Sequence, residues 1–264
     1  MRRILLTFIC LVFTSFAYAG SEVNYNNDAN CMGSWRMHDT GNETDLSGEG
    51  GTLTESGGTI ALSTERRFGQ FSRAVVIADT EWFEHANNLS TDIVKNGGDQ
   101  PMSIVCWYKS NTDTGQEQVL VAKYDSGVSQ RQYLLRIDSA LLINGRISFD
   151  GTGGGDTGSA LGATTLTVGT PHHVAMVYDA DGDEITLFLD GSEDTGGDNP
   201  KAWAKDSPHP STSKFTVGAY YENNVIGNYL NGLIDDVGIF DRVLSDVEVS
   251  DISKYGMSGR RRFL

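Results

Sequence analysis

Residues 230–252 read LNGLIDDVGIFDRVLSDVEVSDI, and the adjacent carboxylates Asp235 and Asp236 are the first candidates for chemistry. An acid/base pair, a divalent-metal site and the polar lip of a sheet all use carboxylates, each in a different geometry. The residues around them alternate as in a strand, and neighbours along a strand point to opposite faces. The two acids therefore do not converge on one atom, which removes a self-contained acid/base pair and leaves one of them facing solvent or the neighbouring strand.

Other spacings fare no better as catalysts. DADGDEITLFLD, residues 179–190, alternates Asp179, Asp181 and Asp183 in the manner of a helix-flanked calcium loop, yet glycine is fourth and glutamate sixth where glycine should be sixth and glutamate twelfth. An acidic hairpin turn is the better account. Glycoside cleavage needs two carboxyl groups facing each other across a groove, and no segment places alternate acids on one strand face in a Glu-x-Asp-x-(x)-Glu run. His172 and His173 point opposite ways, while His38, His85 and His209 stand apart. No nucleophile elbow is present, and GTGGGDTG lacks the lysine and following helix of a phosphate loop.

Aromatic side chains offer a binding chemistry instead. A flat ring can cover the C–H face of a sugar while polar neighbours take its hydroxyls. Trp82, Trp203, Tyr221 and Tyr229 lie in or beside loops and are the candidate ligand-binding residues. Trp203 leads because it stands between lysines in a polar loop, the alternative being a ring folded back onto the edge of the domain. Trp107 alternates with apolar neighbours and belongs to a strand face.

The elements that must hold these residues are short and alternating. SIVCWYK, QVLVAKY, QYLLRI, RISFD, HHVAMVY, EITLFLD, KFTVGAY and LIDDVGIF are rich in β-branched and aromatic residues and end in turn formers. Strands without intervening helical patterns predict an antiparallel sandwich or barrel. The segments 172–178 and 184–190 form a hairpin, with Gly182 expected at a left-handed position. Residues 150–165 hold six glycines and read as an irregular surface loop. The exception is LSDVEVSDISKYG, where Ser245 and Glu248 form a capping box, Leu244 and Val249 a hydrophobic staple, and Gly256 a stop.

Residues 1–19, with two arginines, an apolar run and an Ala-Tyr-Ala ending, read as an export signal. Its apolar run is shorter than the roughly 20 residues that cross a bilayer, and no later segment attempts it. Removing Arg2 and Arg3 with the signal takes the formal net charge from −15 to −17. Such a field opposes nucleic acid and anionic membrane surfaces as partners and attracts divalent cations. Cys31 and Cys106 then remain, and an exporting compartment permits one bridge between them. The alternative is Cys106 as a small buried filler in its apolar strand. Asn42 and Asn88 fit the glycosylation acceptor pattern.

The hairpin HHVAMVYDADGDEITLFLDGS, the closing LNGLIDDVGIFDRVLSDVEVSDI, the opening GSWRMHDTGNETDLSGEGGTLT and the intermediate RRFGQFSRAVVIADTEWFEH and MSIVCWYKS together resemble the laminin-G-like, concanavalin A-like lectin/glucanase jelly-roll domains. The likeness spans about residues 33–255. It implies an all-β, two-sheet antiparallel jelly-roll sandwich (concanavalin A-like) with a short C-terminal capping helix, its first strand beside its last. The organisation expected is a signal peptide over 1–19, a lead-in over 20–32, the jelly roll over 33–255 and a basic tail over 256–264. The resemblance also implies a calcium ion near the junction of first and last strands, with Asp45 and Asp236 as the positions that match; the alternative is that these acids accept backbone N–H groups. A fold of this breadth does not determine the ligand.

The role expected is a secreted or periplasmic, non-catalytic recognition or adhesion module for glycan or another cell-surface component, calcium-assisted. The alternatives are a structural subunit of an extracellular assembly, self-associating through sheet edges or the tail SGRRRFL, and, behind it, a polysaccharide hydrolase or lyase.

Overall fold

Alternation becomes sheet wherever one set of residues can be buried. In a computed structural model that describes residues 23–67, 70–75, 80–87, 91–93, 100–112, 115–153, 157–203 and 208–259, the apolar members of each alternating run face a common core. The export signal, Asn88 and the arginines of the tail lie outside these residues. Among the described residues the strands, in chain order, are β1 (Cys31–Trp35), β2 (Thr54–Ser56), β3 (Ala61–Arg67), β4 (Gln70–Val75), β5 (Trp82–His85), β6 (Met102–Ser110), β7 (Gln118–Asp125), β8 (Gln130–Ile137) and β9 (Ile143–Ser148). They continue with β10 (Thr157–Leu161), β11 (His172–Asp179), β12 (Glu184–Leu189), β13 (Ser192–Glu193), β14 (Lys201–Ala202), β15 (Phe215–Val217), β16 (Tyr220–Glu222), β17 (Val225–Gly227) and β18 (Gly232–Phe240), and helix α1 (Asp246–Tyr255) follows.

The first sheet runs β13-β12-β11-β6-β18-β4-β3, with β1 also on β18 and β14 on β12. The second runs β10-β9-β8-β7-β15-β5-β2, with β16 joining β7 to β17. The only parallel pairing among these strands is the single Tyr221–Asp125 position of β16 on β7. This is the two-sheet jelly-roll sandwich, and β1 lies antiparallel to β18 as expected of first and last strands.

Between the sheets Trp35 stacks on Phe215 at 5.3 Å, in a core that also holds Phe83, Ile104, Cys106, Leu135, Val174 and Ile239. The outside of the first sheet is also covered. Val105, Ala175, Phe188 and Phe240 pack beneath Leu244, Val249 and Ile252 of the α1 region, each fully buried aliphatic contributing roughly 1.5–3 kcal/mol. The capping box forms as read: the Ser245 hydroxyl accepts from the Glu248 N–H, and Glu248 accepts from the Ser245 N–H at 2.9 Å. No helix among the described residues covers the outside of the second sheet, where Val119, Ala122, Tyr124, Leu134 and Tyr220 form a small buried apolar patch.

Four expectations are corrected. Cys31 and Cys106 are both free and buried, not bridged. Cys31 belongs to the cluster under α1 and Cys106 to the inter-sheet core, so the first sheet itself stands between their side chains. Burial raises both thiols, that of Cys31 to about 12. The glycine-rich stretch is not irregular throughout, since Thr157–Leu161 pairs with β9. The 179–184 turn takes its left-handed residue at Asp183, φ 51°, rather than at Gly182, while Asp179 Oδ1 accepts from the Asp181 and Gly182 amides. Finally, the strand at Asp235 and Asp236 is not regular, and of solvent and neighbouring strand the first is excluded because both acids are buried. They form a bulge in β18 at which Asp236 turns to φ 49°. Asp235 accepts from the Asp236 N–H at 2.9 Å, and Asp236 accepts from the Met257 N–H at 2.8 Å beyond α1.

Candidate functional site

The exposed side of the second sheet is assembled by register. Phe83, Phe215, Leu135 and Ile147 point into the core, so the residues alternating with them point out. Cross-strand pairing then lays down one continuous outward row: Ser159 beside Arg146, Leu134, Ala122, Thr216, Glu84 and Thr54.

Glu84 organises one end of this row. Its Oε1 accepts from Lys214 Nζ at 2.7 Å, and its Oε2 accepts from the Tyr221 hydroxyl at 2.6 Å and from the Trp82 indole N–H at 2.9 Å. Burial pushes the Glu84 carboxyl up, but the bonds from Lys214, Tyr221 and Trp82 outweigh it and hold the group below the usual carboxylate range. The Lys214 ammonium is raised in turn, chiefly by its bond to Glu84. Lys214 also lies over the Tyr221 ring at 5.6 Å, and Tyr229 tilts against Trp82 with ring centroids 6.2 Å apart. Gly57, at φ +81°, runs beside the Trp82 ring, where an added Cβ would come within 2.7 Å of it. The indole is thus held at its edge by backbone and at its nitrogen by a charged acceptor.

Three of the four aromatic candidates, Trp82, Tyr221 and Tyr229, therefore meet at one place, all half-buried. Glu84 and Lys214 are members of the site that the sequence reading did not pick out. Glu84 had a signal, since it sits two positions from Trp82 in EWFEH and alternation places both on one face. Lys214 had none, because only the pairing of β15 with β5 brings it near. With three donors already on its carboxylate, Glu84 serves to position the rings. The arrangement suits stacking against a partly apolar ring with polar groups at its rim.

Trp203 stands elsewhere. Its backbone N–H donates to the Asp183 carbonyl at 2.6 Å, its ring lies against Gly158 where a Cβ would sit 3.3 Å from Cγ, and its indole nitrogen is buried without an acceptor among the described residues. Ile185 and Phe149 border the same glycine, so Trp203 closes the edge of the sandwich between β10 and β12.

The acids that the resemblance picked for calcium serve loops. Asp45 accepts from the Ser34, Ser47 and Gly50 N–H groups at 2.8, 3.1 and 2.9 Å and from the Ser47 hydroxyl, tying the loop after β1 to the strand. Asp236 holds the exit of α1 as described above. A different group, His38, Asp39 and Glu43, brings ligand atoms within 4.8 Å of one another and is able to hold a metal ion. Glu43 in that group also accepts from the His38 and Asp39 amides at 3.0 and 3.2 Å. The histidine pair is structural in its contacts: Asp190 takes the His172 ring at 2.9 Å and the His173 amide at 2.8 Å.

A family model described as the concanavalin A-like lectin/glucanases superfamily matches residues 84–250. No curated protein matches the sequence. Solved structures share the fold at low identity. The binding domain of Paraclostridial Mosquitocidal Protein 1 superposes with a TM-score of 0.65 at 14% identity, over 87% of this chain and 52% of that one. The ligand binding domain of botulinum neurotoxin serotype D, solved in complex with N-acetylneuraminic acid, gives 0.60 at 14%, over 86% and 51%. Domain 4 of AbnA, a GH43 extracellular arabinanase from Geobacillus stearothermophilus solved in complex with arabinotriose, gives 0.55 at 16%, over 85% and 98%. The chain spans about half the length of the toxin binding domains and nearly all of the arabinanase domain.

Proposed function

From a chain that belongs to the concanavalin A-like lectin/glucanase superfamily, we propose a non-catalytic, extracellular recognition module that binds glycan on the outer face of its second sheet. The observation that carries the reading is the convergence of Trp82 and Tyr221 on Glu84, with Tyr229 against Trp82, on the sheet face that no helix among the described residues covers. A sugar ring stacks on the half-buried aromatics, and Lys214, whose side chain is 46% exposed, donates to its hydroxyls. Solved relatives in fold that were determined in complex with arabinotriose and with N-acetylneuraminic acid support a carbohydrate ligand for this architecture.

Calcium assistance is the second part of the reading. Asp39 and Glu43 supply the oxygen ligands that calcium favours, whereas His38 supplies a nitrogen better suited to a transition metal. The experiment is a glycan array on the purified protein, run with calcium and again with chelator, beside a Trp82→Ala variant. Binding lost in the variant supports the site, and binding lost with chelator supports the ion. Undiminished binding by Trp82→Ala moves the site elsewhere, and a blank array overturns the reading.

A further inference from the structure

Strand β16 places Tyr221 at Glu84 and its neighbour Tyr220 on the opposite side, where the outer face of the second sheet holds a groove of about 580 Å³. Tyr220 meets Tyr124 edge to face at 5.4 Å over Leu134 and Ala122, which makes an aromatic floor. Three guanidinium groups line this groove: Arg131, Arg136 and Arg146.

Such a concentration is unexpected in a chain with a net charge of −15. Arg136 is accounted for internally. It is ion-paired to Glu117, its Nε donates to Asn144 at 2.9 Å, and burial first and Arg146 second lower its pKa. Arg131 and Arg146 are not paired with any carboxylate among the described residues. Arg146 donates its Nε to the already shared Asn144 oxygen at 3.1 Å. Arg131 reaches the Gly151 carbonyl at 3.3 Å and lies 5.6 Å over the Tyr124 ring, while its Nε is buried with no acceptor among the described residues. A buried guanidinium N–H without an acceptor is a costly arrangement in a folded protein. The remaining charges at the groove are Glu117, taken by Arg136, and Glu222, exposed at the rim.

We propose that this groove is a second binding site, which takes the oxyanion of an acidic sugar, a carboxylate or a sulfate, on Arg131 and Arg146, over a floor formed by the largely buried Tyr124 and Tyr220. A planar guanidinium fork matches such an oxyanion with two parallel donors. The volume suits one or two sugar rings. Physiological salt screens those acidic charges of the body that lie more than roughly 8 Å from the groove, and of the two carboxylates that line it Glu117 is taken by Arg136. The inference rests on the glycan-binding reading and adds the charge class of the ligand to it.

The test is a calorimetric titration of the full chain with three trisaccharides of one backbone: neutral, carboxylated and sulfated. The acidic forms are expected to bind at least about tenfold tighter than the neutral one at physiological salt, with the advantage shrinking as salt rises further. The better of the two acidic arms identifies the source of the oxyanion. The Arg131→Gln/Arg146→Gln double variant is expected to bring the acidic-to-neutral affinity ratio to about one. Arg131→Lys/Arg146→Lys, which keeps charge but loses the fork, is expected to give an intermediate ratio. Acidic forms binding no tighter than the neutral form, or a ratio unchanged in the folded glutamine variant, overturns this inference while neutral binding leaves the wider reading standing. If no trisaccharide binds, both fall together.

Discussion

Tyr221 and Trp82 donate to the same carboxylate oxygen of Glu84, at 2.6 and 2.9 Å, from strands that lie far apart in the chain. A single half-buried acceptor thereby locks two aromatic rings in relation to each other. Tyr229, packed on Trp82, extends the platform.

Removing the central ring should be felt in binding more than in folding, because Trp82 is half-buried on an outer face. Trp82→Ala is expected to weaken glycan affinity about tenfold or more, the equivalent of ~1.4 kcal/mol. Titration against the best array ligand measures it, and circular dichroism checks that the sandwich persists.

Glu84 should make stability depend on acid. Its folded-state pKa is held below the ordinary value by Lys214, Tyr221 and Trp82, against the opposing push of burial. A lowered carboxylate stabilises the fold fully above its unfolded pKa, about 4.3, and loses that contribution as pH falls through the lower folded value. The thermal midpoint of wild type should therefore fall in that acid window more steeply than that of Glu84→Gln. Parallel curves for the two proteins would show that the carboxylate carries no linked stability.

The cysteines should behave as buried thiols. Cys31 and Cys106 are free, lie in separate clusters and have raised pKa values. A thiol reagent is expected to label neither in the native protein at pH 7 and both after denaturation without reductant. A mass two hydrogens lower than the reduced chain would mean a bridge.

Trp203 closes a sheet edge, with Gly158 leaving room for its ring. Trp203→Ala is expected to cost about 1–3 kcal/mol, less than the ~3–5 of a fully buried tryptophan, because the ring is only part-buried. Glycan affinity should change little. A large loss of affinity with an unchanged melting midpoint would return Trp203 to the ligand site.

The capping box of α1 predicts a plain stability loss. Ser245→Ala removes the acceptor for the Glu248 amide and should cost about 1 kcal/mol, a fall of roughly 2–4 °C in melting midpoint for a chain of this size. Differential scanning calorimetry reads it directly.

The fold was legible because its signals are local. Alternation in SIVCWYK or EITLFLD declares a face to bury, and Ser245 with Glu248 declares a helix start within four residues. The aromatic candidates were legible as residue types, and three of the four do gather on one face. Tertiary structure alone decided the rest. Whether Cys31 meets Cys106 depends on which side of a sheet each occupies, and the bulge at Asp235–Asp236 resets which side that is along β18. Lys214 reaches Glu84 because β15 pairs with β5, and Arg146 shares an outward row with Glu84 because five strands fall in register between Ser159 and Thr54. Period-two patterning states that a residue has a face, but not which distant strand will lie beside it. That choice belongs to the packing of the two sheets as a whole.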